Sequence, residues 1–187
     1  MELAGAFDGI MECATCRETS CAFDEVRAPW RYEGAIRAAI QQFKYHRRWR
    51  LGAWLGQTMA ERARRALPMD QIDAVLPIPS FWAKRWLKGY DPTHLLAQTV
   101  ARSLQKPLAR RLVSRRRWTA TQTRLSWPQR LRNVDGAFRA SRRRARGLGI
   151  LLVDDVLTSG ATAHACALAL KEAGARRVSV LTAARTM

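Results

Sequence analysis

Residues 150–162 read Ile-Leu-Leu-Val-Asp-Asp-Val-Leu-Thr-Ser-Gly-Ala-Thr. Four apolar residues, Ile150, Leu151, Leu152 and Val153, have the length and composition of a strand buried on both faces. Two adjacent carboxylates, Asp154 and Asp155, come next. A turn of small and hydroxylated residues follows: Thr158, Ser159, Gly160, Ala161 and Thr162. Ala163 to Ala173 has helical composition and stops at Gly174, and Val178 to Leu181 reads as a further strand. The order strand, acidic pair, small-residue loop, helix, strand is one βαβ unit. Its loop lies at the carboxyl end of the first strand, where open α/β sheets bind ligands.

The residue types of this loop point to a chemistry. Gly160 permits a tight turn, so that several N–H groups face one concavity at a helix start, a suitable seat for phosphate. Thr158, Ser159 and Thr162 add hydroxyl donors. Asp154 and Asp155 would repel a phosphate; their natural partners are sugar hydroxyls or a hydrated Mg2+. Together these features ask for a sugar phosphate. The plain alternative is a solvated strand end followed by an ordinary turn. Placement of the motif between a strand and a helix favours the ligand site.

The chain has 187 residues, 48% of them hydrophobic, enough for one domain with a sizeable core and a small appendage. Its start lacks the basic and apolar regions of a signal peptide, and no run approaches ~18 apolar residues, so a soluble cytoplasmic protein is expected. Formal net charge is +18. Between Arg102 and Arg146, fifteen Lys and Arg face one acid, Asp135. Arg115, Arg116, Arg117, Arg142, Arg143 and Arg144 are the densest part of this block and the candidate nucleic-acid contacts. The same excess suits an anionic substrate such as pyrophosphate. It also suits a genome rich in arginine codons, since arginine outnumbers lysine 28 to 5.

Upstream, Cys13 and Cys16 form a C-x-x-C pair, half of a closed zinc site. Cys21 and His46 are the only nearby candidates to complete it, so this chain alone is not expected to hold Zn2+. Cys166 reads as a small core residue. Ala28 to Gly34 reads as a strand and turn. Gly34 to His46 then has a helical stripe of Ile36, Ala39, Ile40 and Phe43 and ends in a basic patch from Lys44 to Arg48. A second helix is expected from about Leu51 to Leu67. Ile72 to Ile78 reads as a strand that Pro77 and Pro79 bring to its carboxyl end. The following loop, with Lys84, Arg85 and Lys88, has the cations to hold pyrophosphate, or is simply a basic surface loop. Asp91 and Pro92 read as helix N-cap and first residue. Leu108 to Val113 reads as a short strand, Ser114 to Leu125 as a loop, and Ser126 to Gln129 as a capping box. Ala137 to Ala140 reads as a short strand, and Ser141 to Gly147 as an arginine-rich turn.

Residues Val153 to Thr162 resemble the phosphoribosyl pyrophosphate (PRPP) motif of type I phosphoribosyltransferases. A wider series is similar to the ComF family: V-L-P-I-P at 75–79, K-G-Y-D at 88–91, Q-T-R-L-S at 122–126, R-L-R-N-V-D-G-A-F at 130–138, then the loop itself. The likeness runs from about Ala28 to Arg185. It implies a type I phosphoribosyltransferase-like α/β domain over residues 28–187, a mostly parallel central sheet flanked by helices. Residues 1–27 would be the remnant of an N-terminal zinc module with four cysteine ligands. Cys13 and Cys16 match that module's second pair and the first is absent, as if the chain began inside the module or this member had lost the metal.

The resemblance also implies roles. Asp154 and Asp155 become the catalytic pair on the ribose hydroxyls, and Thr158, Ser159, Gly160, Ala161 and Thr162 the seat of the 5′-phosphate. Pro77, Ile78 and Pro79, with Lys84, Arg85 and Lys88, become the pyrophosphate loop, and residues 115–125 a flexible hood. The implied reaction displaces pyrophosphate from the ribose anomeric carbon, with Mg2+ on the leaving group. No base-recognition motif is legible after Val178. The implied cellular setting is natural competence, with single-stranded DNA and DNA-uptake proteins as partners. A non-catalytic nucleotide-sensing or DNA-binding role is the alternative.

Overall fold

The computed structural model describes residues 21–46, 48–79, 91–116 and 133–186. Strand β6 (Gly149–Leu157) is the centre of the sheet, bonded in parallel to β3 (Ala74–Pro77) on one side and β7 (Arg177–Arg185) on the other. Beyond β7 lie two short parallel pieces, β1 (Glu25–Arg27) and β2 (Trp30–Arg31). Beyond β3 a single parallel bridge joins Val75 to Leu108. A separate antiparallel pair, β4 (Val113–Arg115) and β5 (Phe138–Ala140), lies off the sheet.

Ile150, Leu151, Leu152 and Val153 are all fully buried, because both faces of the sheet are covered. Successive strand residues point to opposite faces, and they divide between two cores. Leu151 and Val153 pack in the first, under α1 (Gly34–His46), α2 (Trp49–Ala66) and α3 (Pro92–Leu104). Ile150 and Leu152 pack in the second, with α5 (Ala161–Glu172), the β4–β5 pair and the four-residue α4 (Arg142–Ala145). Alanines at 161, 163, 167 and 169 make the buried side of α5 small.

The helices begin and end for local reasons. Asp91 caps α3 by accepting the His94 N–H at 3.2 Å, Pro92 fills its first position, and Gln105 ends it at φ 54°. Close approach fixes Gly149: its N–H donates to Asp73 Oδ2 at 2.7 Å and its carbonyl accepts the Asp73 N–H at 2.8 Å. A Cβ there would overlap the Gln71 carbonyl oxygen.

Several expected boundaries move. The opening strand continues through both aspartates to Leu157, because its backbone stays paired with β7 as far as Arg185. The segment expected to precede the domain supplies β1, so the division after residue 27 falls inside the sheet. Asp24 and Glu25 tie that edge down: Asp24 accepts the Val178 N–H at 2.7 Å and pairs with Lys171, while Glu25 pairs with Arg177 at 2.7 Å. Leu108 to Val113 holds only the bridge at Leu108 before β4 begins, and Ser114 and Arg115 are strand, not loop. Arg142 to Ala145 is a helical turn. The capping box at Ser126 lies outside the described residues.

Gly149→Ala should destabilise the domain by roughly 2–3 kcal/mol or more, since overpacking here strikes backbone that cannot rotate away. Urea denaturation followed by circular dichroism would read this as a lowered midpoint at unchanged slope.

Candidate functional site

From β3 the chain runs through α3 outward to the bridge at Leu108; from β6 it runs through α5 the other way to β7. Strand order therefore reverses between β3 and β6, and such a switch point opens a crevice at the carboxyl ends. Pro77, Ile78 and Pro79 end β3 there, with the Ile78 N–H donating to the Val153 carbonyl at 2.9 Å. Val153 and the aspartates end the buried part of β6. The structure thus brings Pro77–Pro79 and Asp154–Asp155 together, as expected. Lys84, Arg85 and Lys88 of the expected pyrophosphate loop lie outside the described residues, as do Cys13, Cys16 and Arg117.

Alternation separates the two aspartates. Asp155 reaches the α1 side, where Lys44 Nζ pairs with its Oδ1 at 2.9 Å. Asp154 is half-buried, and its Oδ1 accepts the Asp155 N–H at 2.9 Å. Burial, and then the charge of Asp155, pushes the Asp154 carboxyl up to about 7, against the Asp155 N–H and the Lys44 ammonium. The Lys44 ammonium is raised as well: burial alone would lower it, but Asp155 more than offsets this.

The turn after β6 has the expected form. Gly160 sits at φ 75°, a left-handed conformation that suits glycine, and is the N-cap of α5. The Ala161 N–H donates to Ser159 Oγ at 3.4 Å, and Thr158 is exposed with its carbonyl accepting from Thr186 Oγ1. Thr162 lies in the first turn of α5.

Beside the aspartates is a cleft of about 440 Å3, lined by Pro77, Ile78, Pro79, Asp91, His94, Arg110, Arg111, Val113, Ser114 and Arg115. Asp91 and Arg115 both act electrostatically on Asp154. Arg115 is half-buried, 5.3 Å from the centre of the Phe138 ring. It therefore parts company with Arg116, Arg142, Arg143 and Arg144, which are exposed. Four residues were not legible as site residues. Lys44 reads as one cation in a basic patch, Asp91 as a helix cap, His94 as a first-turn residue and Arg110 as part of a charge block. Topology alone brings them here.

A metal ion finds little prepared for it. Among the described residues no three His, Cys, Asp or Glu side chains gather as a ligand set. Asp155 already carries Lys44. A Mg2+ ion at this pair would draw most of its six oxygens from water and from a bound ligand.

No protein-family model matches the chain. It is 28% identical over 182 residues to Competence protein F of Haemophilus influenzae, covering 92% of this chain and 78% of that one. It is 29% identical over 180 residues to DNA utilization protein YhgH of Salmonella typhimurium, covering 95% and 79%. It is 31% identical over 118 residues to Competence protein ComFC of Bacillus subtilis, covering 63% and 46%. These likenesses support a ComF-family assignment. Among solved structures, the chain is similar to a glutamine phosphoribosylpyrophosphate amidotransferase from B. subtilis complexed with ADP and GMP. The TM-score is 0.47 at 23% identity, and the match covers 69% of this chain and 25% of that one. No helix among the described residues is long and apolar enough to cross a membrane.

A carboxyl whose pKa is raised on folding stabilises the fold fully below its unfolded value and loses that contribution as pH rises through the folded value. Asp154 should therefore make the fold less stable between about pH 4 and pH 7. Asp154→Asn should remove this decline, so thermal denaturation should show the variant gaining on the parent as pH rises from 4 to 8.

Proposed function

We propose that the carboxyl end of β6 is a receptor for a phosphorylated pentose of the PRPP type. The observation that carries this reading is the acidic pair and the turn after it at the end of β6, next to the end of β3, where Pro77–Pro79 line a cleft with Arg110, Arg111 and Arg115. In this reading the 5′-phosphate takes the N–H groups around Gly160 and the hydroxyls of Ser159 and Thr162. The ribose hydroxyls donate to Asp154 and Asp155, and Arg110, Arg111 and Arg115 face the diphosphate. Phosphoribosyl transfer is the chemistry such a site would perform: an acceptor bonds to the anomeric carbon as the C–O bond to diphosphate breaks. Mg2+, arriving on the diphosphate, would neutralise the leaving charge. The acceptor contributes no legible signature. The cellular role we propose, after the names of the relatives, is in competence or DNA utilisation.

Calorimetric titration with PRPP and Mg2+ should show one site per chain. Asp154→Asn with Asp155→Asn should weaken it roughly 10- to 100-fold, the loss of charge-assisted hydrogen bonds. No heat from the parent protein would refute the sugar-phosphate site. Pyrophosphate release with a panel of bases would then separate transfer from binding.

A second reading rests on a different surface. Tyr45, Trp49 and Trp54 are 63%, 53% and 40% exposed and are three of the four exposed large hydrophobic residues among those described. Trp54 stacks on Trp30 with centroids 4.9 Å apart, and Arg48 and Arg50 are exposed beside them. Flat aromatic faces among cations suit a single strand of DNA, bases stacked and phosphates neutralised. Arg116, Arg142, Arg143 and Arg144 are also exposed, but on or next to elements that pack in the second core, and Arg115 lines the cleft. Binding of oligo(dT) should fall steeply with salt, and Trp49→Ala should weaken it roughly tenfold. A flat salt response would remove this reading.

A further inference from the structure

Asp155 comes with a cation already in place. Lys44 Nζ is 2.9 Å from its carboxylate, and the two side chains are only 24% and 15% exposed. Lys44 belongs to the last turn of α1, whose Ile40 and Phe43 are buried in the first core, so its stem is fixed by packing. With so little water nearby, removing one partner leaves the other charge poorly compensated. The neighbouring Asp154 is occupied in another way, by the Asp155 N–H on its Oδ1.

Mg2+ demands near-octahedral oxygen ligands and gives up its waters reluctantly. One carboxylate neutralised by an ammonium and a second turned toward the opposite face of the strand do not meet that demand, and no third acidic or imidazole ligand joins them among the described residues. We propose that Lys44 is the resident counter-cation of the acidic pair. It makes Asp154 and Asp155 a receptor for neutral hydroxyls and bars a free divalent ion, so that metal enters only as a chelate of the ligand's phosphates. Lys44 is then a positioning and specificity-determining residue. The identity of the hydroxyls rests on the sugar-phosphate reading; the exclusion of free metal rests on the geometry alone.

Mn2+ is a suitable probe, followed without PRPP by the paramagnetic resonance signal of the free aqua ion. The parent protein and Asp155→Asn should give the same titration up to about millimolar Mn2+, the weak range of carboxylate sites. Lys44→Met should gain a site at least tenfold tighter, lost again in Lys44→Met with Asp155→Asn, whereas Lys44→Arg should behave as the parent. Stoichiometric Mn2+ binding by the parent that Asp155→Asn abolishes would overturn the proposal. So would a folded Lys44→Met that gains nothing. If Lys44→Met does not fold, the comparison of parent with Asp155→Asn still decides. Absence of PRPP binding with these Mn2+ results intact would defeat the sugar-phosphate reading and leave the exclusion of free metal standing.

Discussion

Parallel pairing of β6 between β3 and β7 is the constraint from which the rest follows. A strand hydrogen-bonded on both sides and covered on both faces has to be apolar throughout, and Ile150 to Val153 are. Its two-residue period then divides the helices into two layers. The connections leave β3 and β6 in opposite directions, which makes a switch point of the gap between their carboxyl ends. That gap is where the chain first becomes polar, and Asp154 and Asp155 occupy it. Their different surroundings are a result of the same period, which sends one toward α1 and the other toward the opposite layer.

Much of this was legible in one dimension. The apolar run, the acidic pair, the small-residue turn and the following helix are local, and local chemistry determines them. The α1 helix has the ends that its composition marks, Gly34 and His46, and Asp91 caps α3, because a carboxylate before Pro92 has few other uses. Strand ends were less legible. Carboxylates argue for the end of a buried strand, yet β6 continues through them in pairing with β7, and an ammonium from another element meets one of them. The strand β1 had no strong apolar signal; its place depends on Asp24 and Glu25 meeting Lys171 and Arg177 from the far end of the chain.

The basic block shows the limit of composition as a guide to function. Charge counting treats Arg115 and Arg116 alike, but Arg115 is the last residue of β4 and Arg116 lies just beyond it. Arg115 lies over Phe138 beside the cleft and Arg116 is exposed. The aromatic corner had the opposite problem. Trp49 and Trp54 are large hydrophobic residues of α2, and only their exposure singles them out.

Among the described residues, the sheet ends on both sides in fragments. One border is Glu25–Arg27 and Trp30–Arg31, separated by Ala28 and Pro29; the other is the lone bridge at Leu108. Long flat borders recruit other chains into continuous sheets, and short broken ones do not. The nine-residue β7 would be such a template if it were bare, because Val178 to Ala184 are buried and mostly apolar. The few residues at 24–31, modest as packing, therefore occupy an edge of β7 that would otherwise be open to the sheet of another chain.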